Sequence, residues 1–349
     1  MKHVFFVLFF IMISLNTFAI PVGIKTPFRV YTIHSYLPGL WSIGATKGTT
    51  QALLYHKIVN HELKSYDYDY VRKRNNLNFE LKKILKEIDE FKPNLILVFD
   101  DEAADDLIPS LNNLKIPIVA TGINKEISDL KWFLPDGDKK RNFTAILERY
   151  PFEEPLKLLK KLNNKINKIS FLTTENVSSE IILNQLKNKF KNYSNEYAGI
   201  ELVDSLASRD WDSWKKFIKS KRSMNEALWI LVPWDVYDKS GKEISINEIG
   251  AFYQKEAKIP ELGIVNASNM LGMLACFSVN SEDLAFEAVS MGLESFSKKR
   301  NLSDIPFEKV KSVRVVINKK RADQLGVIIP NSFLDFAKIE KKIPLEYFR

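Results

Sequence analysis

The sequence holds one cysteine in 349 residues, Cys276, within the apolar run Met273-Leu274-Ala275-Cys276-Phe277. A single thiol closes no internal disulfide, so the chain is no disulfide-stapled small domain. Its apolar surroundings predict a buried, inert side chain. Histidine is almost as scarce, at four. His56 and His61 stand five apart and would turn away from each other on a helix, whereas a zinc pair wants a spacing of about three or four. No metal site and no cofactor is expected. The glycine patterns G-x-x-x-x-G-K-[ST] and G-x-G-x-x-G are missing after every strand-like segment, and no G-x-S-x-G elbow marks a hydrolase. Long apolar runs are missing too, apart from one at the N-terminus.

That run, Val4 to Leu15, follows Lys2 and His3 and precedes Thr17-Phe18-Ala19, with small residues where a signal peptidase inspects. Its dozen or so residues fall short of the roughly 20 needed to span a bilayer. Residues 1–19 therefore read as a secretory leader, and the mature chain as soluble and periplasmic or secreted. No cysteine stands at the cleavage site to make it a lipoprotein. About 330 residues remain, enough for two domains with proper cores. The formal charge of +8 is spread over helix faces such as Lys157-Leu158-Leu159-Lys160-Lys161. Nucleic-acid binding wants such charge gathered on one face, so no nucleic-acid partner is expected.

Strand-like and helix-like segments alternate from Phe28 to about Ile317. Phe28–Ile33 reads as a strand and roughly Ser42–His61 as a helix. Tyr66-Asp67-Tyr68-Asp69-Tyr70-Val71 alternates aromatic and acidic residues, as a strand with one wet face would. Phe79, Leu81, Ile84, Leu85 and Ile88 recur at helical spacing. Leu95-Ile96-Leu97-Val98-Phe99 is apolar throughout, which fits a strand covered on both faces. A half-polar second strand beside apolar neighbours suits the edge of a flavodoxin-like sheet in the order 2-1-3-4. A second set runs from Asn142, with Trp211, Trp214 and Phe217 expected as core packing rather than a ligand cage. The fold expected is α/β, with two Rossmann-like, flavodoxin-like lobes joined by a hinge. One lobe would comprise 27–140 plus about 263–305, the other 141–262 plus about 306–330, leaving 331–349 as a tail.

In open α/β sheets the carboxyl ends of the strands line the ligand crevice. Polar and aromatic residues gather there in this sequence: Ser35, Tyr36 and Trp41 after the first strand, Asp101 and Glu102 after the third, Thr121 and Asn124 after the fourth. In the second lobe Thr174, then Trp234, Asp235 and Tyr237 hold equivalent places, and Asn266 is a further candidate. Asp100 is expected to cap the following helix, and Asp101 and Asp235 to pair with a ligand amine. The acids opening that helix are also favoured by its dipole, so they need no acid–base chemistry to explain them.

At these residues the chain resembles the ABC-transporter substrate-binding family with the type I periplasmic binding protein fold, and the sensor-associated subgroup close to it. His34-Ser35-Tyr36-Leu37-Pro38-Gly39-Leu40-Trp41 is similar to that subgroup's S-Y-h-p-G-x-x-W stretch. Lys92 to Ala103 resembles K-P-D-L-I-hydrophobic-x-x-D-D-x-A, and Ile116 to Asn124 looks like I-P-V-V…G-V-N. Arg141-Asn142-Phe143-Thr144-Ala145 is similar to the N-I-T-G lobe junction, with Ala145 where Gly is usual. Ile317 to Gly326, with Ile329-Pro330, resembles I-N-x-x-x-A-x-x-L-G…I-P. The resemblance implies a solute-binding protein, not an enzyme, acting as a monomer that closes on a small ligand and serves an ABC permease or a membrane sensor protein. Family members that import amino acids carry small hydroxyl residues after the third strand, where this chain has Asp100-Asp101-Glu102. An amine-bearing ligand, an amino acid or a related metabolite, is expected. A secreted enzyme on the same fold is the remaining alternative, weakened by the lack of a nucleophile–base pair.

Overall fold

The computed structural model describes residues 26–341 apart from 136, 137, 139, 222, 224, 266–270, 298–300, 334 and 336. The expected leader and Asn266 lie outside the described residues. The chain runs through β1 (Phe28–His34), α1 (Leu40–Tyr55), β2 (His61–Asp67), α2 (Tyr70–Lys73), α3 (Leu77–Phe91), β3 (Leu95–Phe99), α4 (Asp101–Leu111), β4 (Ile118–Ile123) and β5 (Phe143–Leu147). It then crosses to α5 (Glu153–Leu162), β6 (Lys168–Thr173), α6 (Val177–Asn192), β7 (Glu196–Tyr197), β8 (Ile200–Ala207), α7 (Trp211–Ser220), β9 (Glu226–Ile230), α8 (Ile246–Glu256), β10 (Glu261–Val265) and β11 (Ala275–Val279). α9 (Ser281–Ser297) and β12 (Glu308–Lys309) return to the first sheet. β13 (Arg314–Asn318), α10 (Lys319–Leu325) and β14 (Lys338–Glu340) finish in the second.

The sheet orders are β12-β5-β4-β3-β1-β2 and β14-β13-β11-β10-β9-β6-β8-β7. The first contains the expected 2-1-3-4 order. β3 and β4 are buried at every position, because helices cover both faces of a parallel sheet. Cys276 is buried within β11. Trp214 is fully buried and its indole N–H donates to the Ser208 carbonyl at 2.7 Å, while Trp211 meets Phe252 edge-on. That helix face is core, as its spacing predicts. Among the described residues no helix is long and apolar enough to cross a membrane.

The structure corrects three expectations. The edge strand lies at His61–Asp67 rather than Tyr66–Val71, and α1 stops at Tyr55. Its register against β1 ends at His34↔Asp67, and Asp69, at φ 49°, then turns the chain into α2. Tyr68 is nonetheless fully buried, so the aromatic–acidic alternation marked burial and not strand. The expected lobe boundaries also move. β5 pairs with β4 through Ile118↔Phe143 in the first sheet, whereas β10 and β11 belong to the second. Finally, the presumed tail contributes β14, paired in parallel with β13. Apolar strands look alike in sequence whichever sheet receives them.

Crossing back, α9 packs along α1 at Gly44 and Gly48. A Cβ on Gly48 would overlap the Glu282 carbonyl, with its carbon 2.7 Å and Cα 2.9 Å away. Both are backbone atoms and cannot swing aside. In an exposed helix Gly→Ala would gain about 1 kcal/mol. Here Gly48→Ala is expected to cost about 2 kcal/mol in urea unfolding, because overpacking wins. A stabilised variant would disprove the close approach.

Candidate functional site

The loops at the carboxyl ends of β1, β3 and β4 and the strand leaving β5 converge on a group of buried carboxylates. Asp100, Asp101, Glu102, Asp105 and Glu148 are each at least nine-tenths buried. Asp101 accepts the backbone N–H groups of Asn124 and Lys125, both at 3.0 Å, one on each oxygen. It therefore clamps the loop after β4 and has little left for a ligand. Asp100 does the opposite of what its place before α4 predicts. Its side chain caps nothing, its Oδ2 has no partner, and its backbone sits at φ 71°. Such a conformation is strained for a residue with a Cβ and persists only where the surroundings impose it. Its N–H is held by the Thr121 carbonyl at 2.9 Å. The expected cap is therefore absent at Asp100, and Asp101 holds the loop after β4.

Glu102 accepts the Tyr36 hydroxyl at 2.6 Å on Oε1, and its Oε2 is unpartnered. Ser35 is spent internally: its hydroxyl donates to the Phe99 carbonyl and accepts the Ala103 N–H, each at 2.9 Å. Trp41 flanks Asp100, with its indole N–H short of a completed hydrogen bond. Gly122, at φ 74°, is needed there, since a Cβ would come within 3.1 Å of Asp100 and 3.7 Å of the Trp41 ring. Thr121 is buried and its hydroxyl reaches the Leu284 carbonyl of α9 at 3.5 Å. Asn124 donates to Glu148 and to the Gly122 carbonyl, both at 3.3 Å, which fixes its amide and leaves Oδ1 without a partner.

Glu148 and Tyr150, on the first crossing between sheets, escaped the sequence reading. Glu148 accepts the Tyr150 hydroxyl in a short contact, and both are buried. The signal available was a Glu-Arg-Tyr triplet directly after an all-apolar strand, with nothing in it to show burial. Arg149 donates to the carbonyls of Ile123, Asn124, Lys125 and Glu148. Lys125 pairs with Asp105.

Burial dominates the electrostatics. It pushes Glu102 up to about 7, with the Tyr36 hydrogen bond opposing and Asp101 adding to the rise. It pushes Glu148 up to about 7 as well, against the hydrogen bonds from Tyr150 and Asn124. Asp100 is raised well above the usual carboxylate range by burial and then by Glu102, Glu148 and Asp101. His34, stacked on Phe99 at 4.7 Å, is lowered to about 4 by burial. Five acids face two cations here, Lys125 and Arg149.

From the second sheet, Gln185 of α6 donates to the Asn124 carbonyl at 3.2 Å and to Glu126 at 3.1 Å, and Ser178 faces the Tyr36 hydroxyl. These contacts bring the two sets of loops together. Thr174 donates to the Asp235 carbonyl at 3.1 Å, and Asn176 donates to the Asp235 carboxylate at 3.2 Å. Asp235, at φ 56°, is half-buried. Trp234 is half-buried against the main apolar cluster. Tyr237 stands apart in the next turn, its N–H on the Arg209 carbonyl and its ring beneath the Arg209 guanidinium at 4.9 Å. Among the described residues no group of three or more His, Cys, Asp or Glu side chains is arranged to hold a metal ion.

A family model described as "ABC transporter substrate binding protein" matches residues 42–341. No curated protein sequence matches the chain. Among solved structures, an ABC domain from Streptococcus pneumonia in complex with L-Trp is 18% identical, covering 89% of this chain and 100% of its own, with TM-score 0.62. A conserved domain protein from Vibrio cholerae is 16% identical over 90% of this chain and 100% of its own, with TM-score 0.65. The ligand-free, open structure of a substrate binding protein with adhesive properties from Clostridium difficile is 17% identical over 90% of this chain and 100% of its own, with TM-score 0.64. At these identities the likeness speaks for the two-lobed fold.

Proposed function

The chain belongs to the ABC transporter substrate binding protein family, and on that premise we propose that it captures a small amine-bearing solute between its lobes, outside the cytoplasm, and delivers it to an ABC permease. The observation that carries this reading is the group of buried acids with open acceptor oxygens where the two sets of loops meet. A carboxylate held out of water gains most from a cation at short range. Closure is stabilised when a ligand touches both faces, since only a difference in affinity between open and closed states shifts that equilibrium. Tyr36, Trp41 and Trp234 offer flat apolar surface beside the charges, and Asp235 offers a second carboxylate from the opposite lobe. The expected N-terminal leader fits export of the chain. Proposed lobe limits follow the sheets: 26–147 with 281–309, and 150–280 with 311–341.

Native mass spectrometry of the purified protein should reveal one small basic molecule per chain, released on denaturation. Small-angle scattering should show contraction when it is restored. A chain that binds only neutral sugars or simple anions in calorimetry would refute the reading. The resemblance of His34–Trp41 to the sensor-associated subgroup favours one second reading, in which the closed form docks on a membrane sensor. Capture of a permease rather than a sensor by the liganded protein decides between them.

A further inference from the structure

Resting on that solute-binding reading, we propose that the ligand is an organic amine without a carboxylate, and specifically a diamine rather than an α-amino acid. The argument begins with what an amino acid would need. Its carboxylate wants a cation or a helix N-terminus with free N–H groups. Near the buried acids, Lys125 already pairs with Asp105, and Arg149 is spread over four carbonyls and Glu126. The buried helix N-terminus here is that of α4; that of α1, at Gly39-Leu40, is exposed and leads into Trp41, which lies against Asp100. The Ala103 N–H of α4 is taken by the Ser35 hydroxyl. The first turn and cap of that helix carry Asp100, Asp101 and Glu102, so an entering carboxylate would meet three acidic side chains.

What the site leaves open are acceptors. Asp100 Oδ2, Glu102 Oε2 and Asn124 Oδ1 have no partner, and each belongs to a side chain at least nine-tenths buried. The asparagine is independent of the acids. Its amide is oriented by donating to Glu148 and Gly122, so the open atom is the oxygen. An ammonium has three donors and no acceptor, the complement of this arrangement. There are two acidic centres to satisfy, Asp100 beside Trp41 and Glu102 beside Tyr36. Each sits by an aromatic ring able to face a cation. Glu102 and Glu148 hinder the ionisation of Asp100, and a cation beside each of the two open acids would relieve it.

Calorimetry at pH 8 with matched pairs tests this: 1,4-diaminobutane against ornithine, and tryptamine against tryptophan, each pair differing only by the carboxylate. The amine of each pair should bind at least 100-fold more tightly, with 1,4-diaminobutane ahead of tryptamine. Glu102→Gln should weaken 1,4-diaminobutane at least tenfold while the melting temperature holds or rises. Asp100→Asn is the second variant should the first fold poorly. Equal or tighter binding of either amino acid overturns the inference, as does binding of calcium or magnesium in place of every amine. A co-purifying amino acid would sink it while leaving solute capture intact; a chain that carries and binds no small molecule at all sinks both.

Discussion

Lowering the pH from 8 to 6 is expected to raise the melting temperature of the ligand-free protein while loosening its hold on a cationic solute. The first effect comes from Glu102 and Glu148 and the second from Glu102; burial lifts both from the ordinary glutamate value of 4.5 to about 7. A carboxyl with a raised folded-state pKa binds its proton more tightly folded than unfolded. Its contribution to stability is complete below about 4.5 and is lost as pH rises through about 7. Between pH 8 and 6 each group contributes roughly 1.4 kcal/mol. His34 opposes them. Lowered to about 4, it gives stability that is full above its ordinary value of 6.5 and fades as pH falls towards 4. Its loss by pH 6 is somewhat under about 1 kcal/mol, so the net gain is about 2 kcal/mol. A cation at Glu102 needs that glutamate ionised, so its affinity should fall roughly tenfold over the same range. Scanning fluorimetry without ligand and calorimetry with it, at the two pH values, measure the opposed trends. Stability and affinity falling together would show that these carboxylates are neither buried nor at the ligand.

Replacing Arg321 is expected to have the largest effect on the fold itself. Arg321 on α10 and Glu261 on β10 are both buried and form a charge-assisted pair at 2.5 Å. Arg321 also donates to the Ala257 carbonyl, and Glu261 accepts the Leu274 N–H, each at 3.0 Å. The pair ties the end of α8, the second sheet and the C-terminal helix into one unit. Arg321→Met leaves the carboxylate buried without its cation and should cost about 3–5 kcal/mol. Adding Glu261→Gln should recover part of that loss, because the stranded charge is the main penalty. Urea unfolding of the single and double variants decides it. A single variant within about 1 kcal/mol of wild type would mean the pair is open to water.

This pair also explains a motif that was readable in sequence but not interpretable there. In Ile317-Asn318-Lys319-Lys320-Arg321-Ala322, Asn318 caps α10 by accepting the Arg321 N–H at 3.0 Å, and Ala322 is buried. Gly326 then ends the helix at φ 66°. The stretch ties the C-terminal helix to the second sheet. The His34–Trp41 and Lys92–Ala103 stretches do reach the site, through Tyr36, Trp41, Asp100 and Glu102. Within it, sequence position does not separate Asp100 from Asp101, whereas side-chain geometry gives Asp101 two backbone donors and leaves Asp100 Oδ2 without a partner.

Strand and helix periodicity, the alternation of βα units and the polar ends of the strands are local properties, written within a few residues of each other. They are enough for the α/β class and the 2-1-3-4 order, and they mark the strand ends where the ligand site is proposed. Membership of one sheet or the other is not local, since β5, β10 and β11 are all short, mostly apolar strands and only pairing partners place them. The same holds for charge. Whether a glutamate is an ordinary surface acid or is pushed up to about 7 depends on what covers it, and Glu148 is covered by residues from distant parts of the chain. Sequence determined which groups were present; tertiary burial decided which of them kept an oxygen free.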